Sequence, residues 1–209
     1  RVFLYLGLFI VWGVSVYRRV MQTQVRRYLV AVAILMVFWL TFREFRWHLV
    51  TNPDIRRLLW YAYYIGLLMI PLLALLVSLS LGKGVAYRLP RRTALLFIPT
   101  LLLIALALTN DLHQWLFIFP QGAAMRTELD YSYGSVYYIL SLWAALCALA
   151  SILVMLSKCR IPRTGKFIWL PLLPFGIALL YIILYALRIR FVTGTLGDFA
   201  VCVCLLFTA

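Results

Sequence analysis

LLWYAYYIGLLMIPLLALLVSLSL, residues 58–81, carries no Asp, Glu, Lys, Arg or His from end to end. A run of about 18 or more apolar residues reads as a membrane-spanning helix. Lipid offers no partner to backbone amides, so only internally hydrogen-bonded helices or closed barrels can cross it. Similar runs recur on both sides, giving spans at about Val2–Tyr17, Tyr28–Phe42, Leu58–Leu81, Thr93–Thr109, Val136–Leu156, Phe167–Leu187 and Phe199–Ala209. Hydrophobic residues make up 66% of the chain, against about 45–50% in a soluble domain. The expected fold is an all-α membrane protein, a single seven-helix transmembrane bundle over residues 1–209. The second run needs its flanks, from Val25 to Phe45, to cross unless it tilts. The chain opens on Arg1 and the seventh run stops at Ala209, so a fragment is expected, with any output module beyond Ala209. A cleaved signal peptide would need a small-residue site after the first run, and Ser15-Val16-Tyr17-Arg18 offers none.

Basic residues stay on the cytoplasmic side. The first, third and fifth connectors carry Arg18, Arg19, Arg26 and Arg27, then Lys83, Arg88, Arg91 and Arg92, then Lys158, Arg160, Arg163 and Lys166. The other side has Arg1, Arg43, Arg46, Arg56, Arg57, Arg126, Arg188 and Arg190, together with every acidic residue: Glu44, Asp54, Asp111, Glu128, Asp130 and Asp198. The expected orientation therefore places the N-terminus outside and the C-terminus in the cytoplasm, in a bacterial cytoplasmic membrane. The arginine-bearing second connector is the one discordant piece. Spread over membrane-proximal loops, the formal net charge of +14 is a topology signal. It implies anionic lipid headgroups as neighbours and no nucleic-acid partner.

The fourth connector, from Asn110 to Ser135, is the longest. Trp115, Phe117 and Phe119 alternate with Leu116 and Ile118, the period of a strand. Pro120-Gln121-Gly122 supplies turn chemistry, and alternation resumes from Leu129 to Tyr133. A small extracellular β-hairpin is expected, with strands near Gln114–Phe119 and Leu129–Tyr133. The other reading of these aromatics is the interfacial belt of membrane proteins, and the two are compatible. Pro71, Pro99, Pro171 and Pro174 fall inside spans, where each removes a helix hydrogen bond. Ala144-x-x-x-Ala148 has the small-residue spacing of a packing face, and homodimerisation stays open.

The cysteines Cys147, Cys159, Cys202 and Cys204 have no zinc-site spacing. The two histidines, His48 and His113, lack the zinc-protease pattern. Ionisable groups mark ion or proton paths, and the span cores carry none. No catalytic residue, metal or cofactor is expected, and pumps and channels are disfavoured. The polar groups that remain gather on the expected outer side. Asn110, Asp111 and His113 follow the fourth span, Asp198 opens the seventh, Arg43, Glu44, Arg46 and His48 follow the second, and Tyr131 and Tyr133 precede the fifth. An outward cavity walled by aromatics with a few convergent polar groups suits a small ligand. Helix-end capping with surface ion pairs explains the same residues.

Leu108-Thr109-Asn110-Asp111-Leu112-His113-Gln114, followed by Tyr131-Ser132-Tyr133-Gly134 before the fifth span, resembles the seven-helix region N-terminal to bacterial sensor histidine kinases. The resemblance implies an extracytoplasmic sensor whose seventh helix leads into a cytoplasmic output module. It carries Asn110 and His113 over as functional positions, with Asp111 as their neighbour, and it brings no ligand. The chain is thus expected to be a multi-pass membrane sensor. Its partners would be membrane lipids and an unidentified small ligand on the outer side. Asn110, Asp111, His113, Tyr131, Tyr133 and Asp198 are the candidate signal-sensing residues. A small transporter or permease component, or a non-sensing anchor, are the alternatives.

The orientation is tested by cysteine labelling of intact cells. A thiol placed at Gly122 should react with an impermeant reagent, and one placed at Gly165 should not. The reverse pattern would overturn the orientation.

Overall fold

Asn52-Pro53-Asp54 starts the long central helix. The Asn52 side chain accepts from the Asp54 amide at 2.9 Å, Pro53 takes the first helical position, where its missing N–H is harmless, and Asp54 complements the helix dipole. A computed structural model of the chain describes residues 2–85, 87–120 and 131–158. In it, helix α1 covers Val2–Arg19 and α2 Thr23–Glu44, which runs on into a π-helical turn at Phe45–Leu49. Helix α3 covers Pro53–Ser80. A 3-10 segment, Arg91–Leu96, leads into α4, Phe97–Leu108, and a short α5, Asn110–His113. Strands β1 (Phe117–Ile118) and β2 (Ser132–Tyr133) precede α6, Ser135–Lys158. The sixth and seventh expected spans, with Pro171, Pro174 and Asp198, lie outside the described residues.

Among the described residues four helical stretches are long and apolar enough to cross a membrane: Thr23–Leu49, Pro53–Ser80, Arg91–Leu108 and Ser135–Lys158. Helix α3 lies at the centre, packed against α2, α4 and α6, while α1 packs on α2. On α6 the buried residues Val136, Tyr137, Leu140, Ala144, Cys147 and Ser151 form one stripe at helical spacing. Tyr138, Leu142, Leu146 and Leu153 on the far side are exposed. A helix apolar all round, with one face packed and the other open, is built for lipid. Two polar ties cross the bundle. Trp143 Nε1 donates to the fully buried Thr100 Oγ1 at 2.9 Å. Lys158 Nζ, at the end of α6, donates to the carbonyls of Ser78, Leu79 and Leu81 at 2.6–2.8 Å, capping the carbonyl end of α3.

The apolar runs locate the helices and miss their ends. Helix α3 begins five residues before Leu58, at Pro53, because cap chemistry decides where a helix starts and hydropathy does not. Arg57 is thereby a buried residue of a membrane-length helix. Pro71 lies inside α3, which continues through it. Pro99 falls in the first turn of α4, just after the 3-10 segment. The strands are far shorter than the expected Gln114–Phe119 and Leu129–Tyr133. Phe117 pairs with Tyr133 and Ile118 with Ser132, antiparallel. Residues 110–113 are helical, and Gln114 takes the left-handed conformation at φ 53°, which turns the chain and keeps it off a longer ladder. The connection over residues 121–130 lies outside the described residues.

Candidate functional site

Asn110 is buried with no exposed surface, and its side-chain amide has used all of its hydrogen-bonding capacity. Oδ1 accepts from the Leu116 and Phe117 amides at 2.9 and 3.1 Å. Nδ2 donates to the Phe117 carbonyl at 3.1 Å and to Tyr61 Oη at 3.2 Å. An amide with two donors and a two-lone-pair acceptor suits this place, since it satisfies three backbone groups of a loop that folds back into the bundle. Asn110, which opens α5, therefore fixes β1 against α3.

Two further contacts join the loop to α6. The Gly134 amide donates to the Leu116 carbonyl at 2.9 Å, and the Val136 amide donates to the Trp115 carbonyl at 3.2 Å. The first turn of α6 is thus capped by backbone from the segment between α5 and β1. Gly134 is required here, because a Cβ at this position would fall on the Trp115 carbonyl. Phe117 then enters an aromatic cluster. Its ring stacks on Trp60, with centroids 4.2 Å apart, and stands edge-on to Tyr64 at 5.8 Å and to Tyr131 at 5.0 Å. Tyr133 stacks on Tyr137 at 3.9 Å. Aromatic pairs of this kind contribute about 0.5–1.5 kcal/mol each beyond area burial.

Beside the cluster sits a charged pair. Arg57 Nε lies 2.9 Å from Asp111 Oδ1 and 3.1 Å from Oδ2, and Nη2 lies 2.9 Å from Oδ2. This is the two-pronged geometry that makes arginine–carboxylate pairs strong. Arg57 Nη2 also donates to Asp54 at 2.9 Å, and Tyr61 Oη donates to Asp111 Oδ1 at 2.9 Å. The Arg57 side chain is 10% exposed and that of Asp111 41%, so the pair opens to one side through the carboxylate. Across Trp60, the buried Arg46 guanidinium lies over the rings of Trp47, Trp60 and Tyr63 at 5.2–5.6 Å.

Of the residues singled out from sequence, Asn110, Asp111, Tyr131 and Tyr133 converge on this one end of the bundle. His113 is close by but faces its own loop. Its Nδ1 accepts from the Trp115 amide at 3.0 Å, and its Nε2 lies 3.4 Å from Thr109 Oγ1. Thr109 Oγ1 donates to the Ala105 carbonyl, so the network assigns the His113 proton to Nε2. Glu44 and His48 pair with each other, 3.4 Å apart. Arg57 and Phe117 entered the sequence reading only as a connector charge and a strand residue, and Tyr61 and Trp60 only as part of an apolar run; none was a candidate site residue. The Asn-Pro-Asp start signal would have placed Arg57 in the helix, three residues after Asp54 and on the same face. No group of three or more potential metal ligands occurs among the described residues.

The family described as the N-terminal 7TM region of histidine kinase matches residues 2–209, and the chain belongs to that family. No match is found among curated proteins or solved structures.

Replacing Asn110 by Ala strands two donors and two acceptors in a buried place. Each such group costs about 1–3 kcal/mol, so a clear drop in melting temperature in detergent is expected. Gly134→Ala should lower it as well, by displacing the Trp115 carbonyl. Melting temperatures equal to wild type for both variants would show that the loop is held by something else.

Proposed function

From this membership in the histidine kinase 7TM family, we propose that the chain is the membrane sensor region of a receptor kinase. Seven helices cross the bacterial cytoplasmic membrane, with the N-terminus outside and the C-terminus in the cytoplasm. The end that carries Asn110 faces out, and a small ligand or membrane condition acts there. The single observation that carries this reading is the half-exposed Asp111 carboxylate held by a buried arginine beside an aromatic cluster. A site with one accessible charge, an apolar wall and a rigid base can bind a polar ligand with orientation.

The proposed roles divide by geometry. Asn110 positions the loop, Asp111 with Arg57 supplies the charge that a ligand would meet, and Tyr131 and Tyr133 supply the wall. His113 fixes the loop end. A ligand that competes for Arg57 or for Asp111 loosens the join between α3 and the end of α4. Helix α3 runs unbroken from Arg57 to the carbonyls that Lys158 caps, so a shift at one end is felt at the other. Such relay requires two states that differ in affinity for the signal. An output module then reads the difference on the cytoplasmic side.

The test uses the chain joined to a cytoplasmic kinase module, with autophosphorylation and melting temperature measured on the same variants. Asp111→Asn keeps the shape and removes the charge, and Tyr133→Phe removes one hydroxyl. A sensing role predicts that Asp111→Asn, which also lowers the melting temperature by weakening the tie to the buried Arg57, changes output about fivefold or more, the low end of ordinary coupling free energies, beyond what that loss of stability accounts for. Output that falls only in proportion to stability would assign the cluster to packing and end the sensor reading of this site.

A further inference from the structure

Far from the aromatic cluster, α1 and α2 leave an open groove of about 400 Å³ between them. It is lined on α1 by Ile10, Gly13 and Tyr17 and on α2 by Val30, Ala33 and Val37, among others. These residues recur at three and four positions, so each helix presents one continuous stripe. The two helices approach closely at its floor. A Cβ added to Gly13 would stand 3.1 Å from the Ala33 Cβ. The walls stay open, with Ile10 54% and Tyr17 62% exposed.

The groove has one charged end. Arg26 lies one turn before Val30 on the same stripe of α2, and its guanidinium sits over the Tyr17 ring at 5.2 Å. Arg18, Arg19 and Arg27 flank it in sequence. Among the described residues the carboxylates are Glu44, Asp54 and Asp111. Glu44 ends α2, whereas these arginines belong to its beginning and to the end of α1. The 22 residues of α2 separate the two ends by roughly 30 Å at the rise of an α-helix. An apolar trough with Arg26 at its end over the Tyr17 ring, with further arginines close by in sequence and none of the described carboxylates at that end of α2, suits a phospholipid with a net negative headgroup.

We propose that this groove binds one anionic phospholipid, with an acyl chain lying along Ile10, Gly13 and Ala33 and the phosphate held by Arg26 and its neighbours. Tyr17 marks the boundary between the two parts, its ring against the chain and its hydroxyl toward the headgroup level, the usual place of tyrosine in membranes. Close helix approach at small residues sets the depth of the trough. The site is independent of the outer cluster and stands whether or not that cluster senses a ligand.

The experiment places the full chain in bilayers of phosphatidylcholine containing a minor fraction of a phosphatidylglycerol with a photoreactive acyl chain. A matched phosphatidylcholine probe is run in parallel, and labelled residues are mapped by mass spectrometry. The glycerol probe should label the residues around Gly13 and Ala33 several-fold more than the choline probe. It should show no such preference on the exposed face of α6, at Leu142 and Leu153. Arg26→Gln should reduce the preference about fivefold, the factor expected for one basic residue at an anionic surface. Ile34→Trp fills the trough at a residue that is 63% exposed, so it should abolish groove labelling without lowering the melting temperature. Equal labelling by both probes would overturn the proposal, as would groove labelling that survives Ile34→Trp, or an unlabelled groove.

Discussion

A loop that returns into the end of a membrane bundle must find partners for its backbone, and here one side chain supplies most of them. Asn110 satisfies two amides and one carbonyl of Leu116 and Phe117 while donating to Tyr61. Everything at that end follows from this tie. Phe117 is held in the aromatic cluster, the carbonyls of Trp115 and Leu116 are presented to Val136 and Gly134, and α6 starts where those acceptors stand. The join between the end of α4, the middle of α3's first half and the beginning of α6 is therefore built on backbone groups that one amide holds in place. Water would satisfy such groups elsewhere, but a buried one left open costs the full desolvation penalty.

The same end of the molecule shows how arginines are held inside a bundle of apolar helices. Arg57 is matched by Asp111 and Asp54, and Arg46 lies among three aromatic faces. Neither is a loop charge. The second connector was the piece that disagreed with an outside N-terminus, because it places Arg43, Arg46, Arg56 and Arg57 on the side expected to be poor in basic residues. Two of those four are internal, held by partners that fold with them, and the discord shrinks accordingly. A count of basic residues by connector treats all of them as solvated, whereas Arg46 and Arg57 are buried.

Hydropathy was sufficient to place the described helices, since a bilayer constrains length and apolarity more tightly than any other solvent does. It could not place the start of α3, which depends on Asn52, Pro53 and Asp54, and so Arg57 was counted as a connector charge and not as part of that helix. Alternation in Trp115–Phe119 pointed to strand pairing around Phe117, but the left-handed Gln114 confines the ladder to two residues a side. Asn110 and Asp111 stood out as polar residues at a span end. Their opposite fates, one saturated and buried and the other half open, are set by Tyr61 and Arg57. Those partners lie about 50 residues away in sequence, and no local pattern discloses them.

Amide hydrogen exchange at Leu116 and Phe117 tests the central claim most directly, in the intact chain and in Asn110→Ser, which shortens the side chain without adding bulk. The account predicts slow exchange at both amides in the wild type. In the variant, exchange should become faster at these two positions and at Gly134, while the amides of α3 beyond Leu68 stay protected. Unchanged protection at Leu116 and Phe117 in the variant would contradict it, because the loop would then be held without the amide on which the rest of that end is built.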